Sequence, residues 1–298
     1  MNDYLRRPQL SLHKLFLQIT ESRSNITGSD FQLLHMRLLL YPIQIMVSYL
    51  RQLLSLLRSD TASSNFPAYI IQSSLTVRFD ELHRLLCRWF DFFDEIQVQG
   101  MRSAALMQST AVLYHLIHLN LLTSFSDLEA FARGEHRNSN PDVIRTIEED
   151  WFQEPEAVLV HCGQVLQLIR GIDKKLRPNW WAAAIYRITI IMWTWGISKR
   201  ARINDTGNPE PTQTIVLNSA SFTDPNIISY LRNHRGKPCL RKTSGAFVSL
   251  TDPKATLSEC IEALEAGPKM CRFTEGVLHR IEAMAKAWEP FHEEIKMP

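Results

Sequence analysis

The run Asp91-Phe92-Phe93-Asp94-Glu95 places three carboxylates within five residues of a stretch with helical periodicity. Clustered carboxylates are the ligands magnesium prefers, and a magnesium ion so held could grip a diphosphate. The alternative is a solvated helix end, with acidic residues beside the apolar ones that face a core. His115-x-x-His118 offers two imidazoles at adjacent positions of a helix, but no H-E-x-x-H pattern and no third ligand at diagnostic spacing accompanies it. Partly buried histidines of ordinary packing are the simpler reading. His161-Cys162 is a possible thiol–imidazole pair, yet consecutive helical residues point in different directions. No G-x-S-x-G, P-loop or Rossmann glycine pattern occurs. No catalytic, cofactor-binding or metal-ligating residue is therefore assigned, and no cofactor is expected.

The five cysteines, Cys87, Cys162, Cys239, Cys260 and Cys271, are odd in number, and no C-x-x-C occurs. Scattered thiols of this kind point to reduced, mostly buried cysteines rather than a disulfide framework or a zinc cluster. A net charge of +2 is far from the basic balance of a chain that grips nucleic acid by itself. Hydrophobic residues at 45% and charged residues at 21% describe a globular chain, and 298 residues suffice for a substantial core. The first twenty residues have two arginines and an apolar stretch interrupted by His13 and Lys14, with no small-residue cleavage site, so no signal peptide is predicted. On that reading the sequons at Asn25 and Asn204 carry no glycan.

The elements are organised around Arg177 to Ser198. Between Trp180 and Ile197 this stretch holds four of the seven tryptophans and one charge, Arg187. A helix apolar nearly all round must be buried, in a core or in a bilayer. Arg187 near its middle would cost about 2.5–3.5 kcal/mol on an insertion scale. A weakly polar stripe through Arg187, Thr194 and Ser198 suits a core helix with a polar neighbour. No second span and no membrane association are predicted.

Before this helix, helices are expected over Leu10 to Thr20, from an Asp30 cap to Arg58 with a kink or break near Tyr41 before Pro42, from Pro67 to Gly100, and over Met101 to Leu122. A short helix opens with a Ser126–Glu129 capping box, and others cover Val143 to Phe152 and Glu156 to Ile169. After it come a basic cluster, Lys199-Arg200-Ala201-Arg202, and a polar connection from Asn204. The cluster reads as a helix end with basic residues near its carbonyls, or as a nuclear-localisation patch. An extended Ile215 to Leu217 follows, then a small hairpin within Gly236 to Leu250. Asp224-Pro225 and Asp252-Pro253 each set a capping side chain before a proline at the first helical position. A last helix spans Thr274 to Trp288. The expected fold is all-α, a large irregular helical bundle with a minor β-hairpin in the C-terminal third. It forms one domain over residues 1–298, with a helical body at 1–198 and a C-terminal helical subregion at 199–298.

Two resemblances bear on function. Asp91, Asp94 and Glu95 resemble the aspartate-rich metal motif of all-α terpene cyclases, the enzymatic alternative. The second motif of those enzymes, N-D-x-x-S-x-x-x-E, begins at Asn204-Asp205 but meets Asn208 at the serine position and no acidic residue at its end. The broader resemblance starts at Ala157, where His161, Gly163, Val165, Leu166, Arg177, Pro178, Trp180, Tyr186, Arg187 and Trp193 stand in order. It continues through Tyr230-Leu231, Gly236, Pro238, Leu240, Gly245, Val248, Leu250, Pro253, Leu257 and Cys260 to Arg272-Phe273, Gly276 and Trp288. Upstream, Pro42 and Leu113-Tyr114-His115 fit as well. This pattern resembles the fungal-specific transcription factor domain, the middle homology region of zinc-finger-type fungal factors. The resemblance implies an all-α regulatory body in the nucleus, not an enzyme, that controls RNA polymerase II genes through contacts with other transcription factors or co-regulators. Homodimers are a further expectation. Such factors carry a six-cysteine zinc cluster or C2H2 fingers, and these 298 residues contain neither. DNA is thus expected to be reached only through such a module elsewhere or through a partner.

Overall fold

The computed structural model describes residues 11–21, 33–60, 68–98, 104–135, 151–206, 213–219, 221–267 and 271–288. Its described residues form ten helices and one three-stranded sheet: α1 (Leu12–Glu21), α2 (Leu33–Asp60), α3 (Ala68–Val98), α4 (Ala104–Leu122), α5 (Phe125–Ala132), α6 (Pro155–Gly171), α7 (Trp181–Thr206), β1 (Thr214–Val216), α8 (Pro225–Asn233), β2 (Lys237–Arg241), β3 (Phe247–Ser249), α9 (Pro253–Glu265) and α10 (Arg272–Ala287). The all-α class with a minor β element is the observed one. The Asp30 cap, and the helix expected over Val143 to Phe152 apart from its last two residues, lie outside the described residues.

The chain divides into two compact units, residues 1–117 and 118–298, with the boundary inside α4. The change of texture at residue 199 falls within the second unit. In the first unit α1, α2 and α3 pack on one another. Met36, Leu39, Ile43 and Val47 of α2 are fully buried. Trp89 of α3, also fully buried, donates its indole N–H to the Met36 carbonyl at 2.9 Å. Its ring stacks on Phe93 at 4.9 Å and on Tyr114 at 5.3 Å. Helix α2 runs unbroken through Pro42, so of the kink or break expected near Tyr41 the break does not occur. One missing N–H removes a single bond of the ladder, and burial of the row on either side outweighs it.

The second unit is assembled on α7, which packs against α5, α6, α9 and α10. Ile185, Ile188, Ile190, Ile191, Met192 and Trp193 have no exposed surface at all, so the tryptophan-rich stretch is a core helix. The helix also continues beyond Ser198, through the basic cluster, to Thr206. Two glycines allow its neighbours to close in. A Cβ on Gly196 would strike the Leu250 carbonyl oxygen, and one on Gly163 of α6 would lie 2.5 Å from the Leu217 Cβ. In the sheet β1 runs parallel to β2, which pairs antiparallel with β3. The β2–β3 hairpin and an extended Ile215 to Leu217 were expected, whereas the parallel pairing of β1 with β2 was not legible, because its partner lies twenty-three residues further on.

Local signals worked at two helix starts and failed at a third. Asp224 accepts from the Asn226 N–H at 2.8 Å, and Asp252 from the Ala255 N–H at 3.1 Å. The Ser126–Glu129 capping box does not form: α5 starts at Phe125 with Ser124 at its cap. Glu129 is taken instead by tertiary partners.

Candidate functional site

Asp91, Asp94 and Glu95 are exposed on α3, while Trp89 and Phe93 on the same helix point inward. The geometry is that of a solvated outer face. Asn204 and Asp205, the start of the incomplete second motif, lie in the last turn of α7, in the other unit. His115 and His118 are both buried, with different neighbours. His115 sits in an aromatic group with Tyr114 at 5.0 Å and Phe90 at 6.3 Å. His118 stacks on His161 at 4.5 Å with the rings 15° apart, and Phe222 lies 5.0 Å from His161. His161 and Cys162 are both buried. Burial pushes the Cys162 thiol well up, and raises Cys260 to about 11 against a hydrogen bond from Thr189 that lowers it. Such thiols stay protonated and are poor nucleophiles.

Polar groups of the second unit instead tie helices together. The Tyr186 hydroxyl donates to Glu129 at 3.0 Å, and Arg280 of α10 reaches the same carboxylate oxygen at 3.3 Å. Burial raises the Tyr186 hydroxyl above its ordinary value, and Glu129 adds to the rise. Arg187 lays its guanidinium 4.3 Å over the Phe125 ring; burial lowers its pKa and Glu129 partly restores it. One carboxylate on α5 thereby organises cations and a phenol from α7 and α10. Thr194 and Ser198, also on the polar stripe, are fully buried, and their hydroxyl oxygens meet no hydrogen-bond partner among the described residues.

A second link was missed altogether from the sequence. Arg170 of α6 pairs with Glu259 of α9, whose side chain is completely buried, and also donates to the Arg241 carbonyl at 3.1 Å. A sequence signal existed. Glu259 stands three residues after Thr256 and four before Ala263, on the row buried against the core. An acidic residue there demands a cation.

The described concavity lies in the first unit, a groove of about 630 Å³ between α1, α2 and α3. Its floor is apolar, with Phe16, Met46, Leu50, Leu53, Leu75, Leu82 and Leu85, and Arg78, Glu81, Arg84 and Arg88 stand along it. Arg88 donates to the Thr20 carbonyl at 2.9 Å, closing the C-terminal end of α1. Arg78 pairs with Glu81 at 2.8 Å. The volume falls in the range of ligand pockets, about 300–1,000 Å³. The lining is largely apolar, with Tyr49 and four charged side chains also on it.

Comparison with known proteins gives a consistent picture. The chain is 30% identical to a transcription factor of Zymoseptoria tritici, an alignment covering 93% of this chain and 30% of that protein. It is 31% identical to transcription factor 1 of Elsinoe fawcettii, over 85% of this chain and 26% of the relative. It is 26% identical to transcription factor opdJ of Penicillium oxalicum, over 87% of this chain and 36% of the relative. The chain thus spans about a third or less of the curated relatives it matches. No family model and no solved structure matches.

Proposed function

We propose that this relative of fungal transcription factors is the helical regulatory body of a transcription regulator, controlling RNA polymerase II genes from the nucleus without catalysing a reaction. The observation that carries the reading is the likeness to those factors across 85–93% of its length. The ordered matches to the fungal-specific transcription factor domain support the finer assignment. Several of those positions hold the second unit together: Gly163 at a close approach, Tyr186 on Glu129, Arg187 over Phe125, and Trp193 in the core. The body acts through contacts with other transcription factors or co-regulators, for which the groove between α1, α2 and α3 is the available concave surface. DNA is reached through a zinc module outside these residues or through a partner, in keeping with a net charge of +2.

Tethering tests this. The 298-residue chain is fused to a heterologous DNA-binding module and assayed on a reporter bearing that module's site. Expression is expected to change at least about fivefold, up or down, relative to the module alone, a difference of about 1 kcal/mol in effective recruitment. The purified chain alone is expected to give no sequence-specific gel shift. An unchanged reporter would overturn the regulatory role, and a specific shift the need for a partner or module.

A further inference from the structure

The groove between α1, α2 and α3 is long and open on one side. Its lining on α3 runs from Leu75 to Arg88, about 20 Å at 1.5 Å per residue. Leu50, Leu75, Leu82 and Leu85 are the buried part of its floor, none more than 8% exposed. On the α2 side Tyr49 and Leu53 stand open, at 64% and 52%. Both belong to the apolar outer row of α2, which runs from Leu34 to Leu56 and stays exposed while Met36, Ile43 and Val47 are covered. A pocket typically buries about 70–90% of a small ligand, and a wall this open leaves more of it in water. A helix of about three to four turns matches the length of the groove and also covers Tyr49 and Leu53. Apolar residues at i, i+3, i+4 and i+7 are the anchors by which an amphipathic helix uses such a floor.

The charges decide what kind of helix docks. Arg78, Arg84 and Arg88 line the groove against a single acid, Glu81. The whole chain sets 33 basic residues against 31 acidic ones, so this groove alone holds an excess as large as the chain's. Arg78 is engaged with Glu81 at 2.8 Å. Arg84 donates its Nε–H to the Asp80 carbonyl at 3.2 Å, and its terminal nitrogens meet no partner among the described residues. Arg88 stands one turn further on, with one terminal nitrogen on the Thr20 carbonyl. Like charges at i and i+4 repel. A carboxylate arriving beside them relieves that repulsion and gains charge-assisted hydrogen bonds. We infer that the groove takes an amphipathic helix of a partner protein, its apolar face flanked by aspartate or glutamate. This occupant presupposes the regulatory reading, in which the groove is a contact surface, and adds the chemistry of what it contacts. Nucleic acid would use the cations but gain little from a floor made mostly of leucines, which offers bases few rings to stack on. By length and composition α2 could also meet a bilayer, the one described helix that could span it, but its inner row is already covered within the first unit.

A phage library of helical peptides, with leucine fixed at i, i+3, i+4 and i+7 and random flanking positions, is panned on the full chain and on Leu53→Asp. Selected clones are expected to favour Asp and Glu over Lys and Arg at the flanks by at least about fivefold, and not to be enriched on the variant. The commonest clone, made as a labelled peptide, is expected to bind at about 1–10 µM and to weaken at least about threefold between about 50 and 300 mM salt. Arg84→Glu is expected to weaken it at least about tenfold, with thermal melts checking that both variants stay folded. Equal enrichment on Leu53→Asp, flanks without acidic bias, or affinity unchanged by Arg84→Glu overturns the inference. Failure to select any helix overturns it too, as does a chain that co-sediments with lipid vesicles instead. A tethered reporter that responds while no acidic helix is selected removes only the acidic occupant. An acidic helix selected beside a silent reporter removes the regulatory reading instead.

Discussion

Glu259 shows what a single side chain costs this fold. It is fully buried, one of its oxygens takes Arg170, and the other meets no hydrogen-bond partner among the described residues. Truncating the cation would leave an uncompensated buried charge, a loss of about 3–5 kcal/mol. Arg170→Ala is therefore expected to lower the denaturant midpoint steeply, and adding Glu259→Gln should recover part of the loss. A midpoint shift worth less than about 1 kcal/mol would show that the pair is dispensable. The cysteines divide by environment. Cys271 is exposed at the cap of α10, where the Thr274 hydroxyl pulls its thiol below the ordinary value. Cys260 is buried with its thiol raised to about 11. A lowered pKa means more thiolate at a given pH, so between pH 7 and 9 iodoacetamide should modify Cys271 and leave Cys162 and Cys260 untouched until denaturant is added. Peptide mapping after a timed pulse reads this directly.

Among elements, α7 and α10 make opposite use of glycine. On α7, Gly196 is the spot where the Leu250 backbone comes closest, so any side chain displaces that loop. Gly196→Ala is expected to destabilise by about 1–3 kcal/mol, as overpacking does. On α10, Gly276 has open space where a Cβ would go. Gly276→Ala should stabilise by about 0.5–1 kcal/mol through helix propensity alone. Thermal melts of the two variants should thus move in opposite directions. A common direction would contradict the packing of α9 on α7. Each glycine stands inside a helical pattern, and only the neighbour decides the sign of the substitution. The same lesson holds for Glu129. Three residues after Ser126 it has the spacing of a capping box, yet Tyr186 and Arg280 hold it more strongly than a frayed helix start could.

At the scale of the molecule, the two units divide the work. The second is a packed body, in which Trp193, Trp288 and Phe131 meet within 4.5–5.9 Å and the buried Glu259 is tied to Arg170. The first holds the groove and the apolar outer row of α2. On the proposed regulatory reading, tethering to a reporter is the informative experiment for the whole chain.

The residues by themselves determined the helical class, the caps at Asp224 and Asp252, the burial of the tryptophan-rich helix and that the scattered cysteines are mostly buried, while the structure chose Cys162, Cys239 and Cys260. Periodicity and capping are local, and a stretch without charge has few places to go. They also determined the likeness to fungal factors, which needs only order and identity. The tertiary structure alone decided which apolar row of α2 is covered, that Pro42 does not break it, that β1 joins the hairpin in parallel, and that Arg170 finds Glu259 eighty-nine positions away. Each of these depends on which distant segment arrives as neighbour. Leu34, Tyr41 and Ile45 are as apolar in sequence as Met36, Ile43 and Val47, and only the packing of α1 and α3 shows which side of α2 is covered.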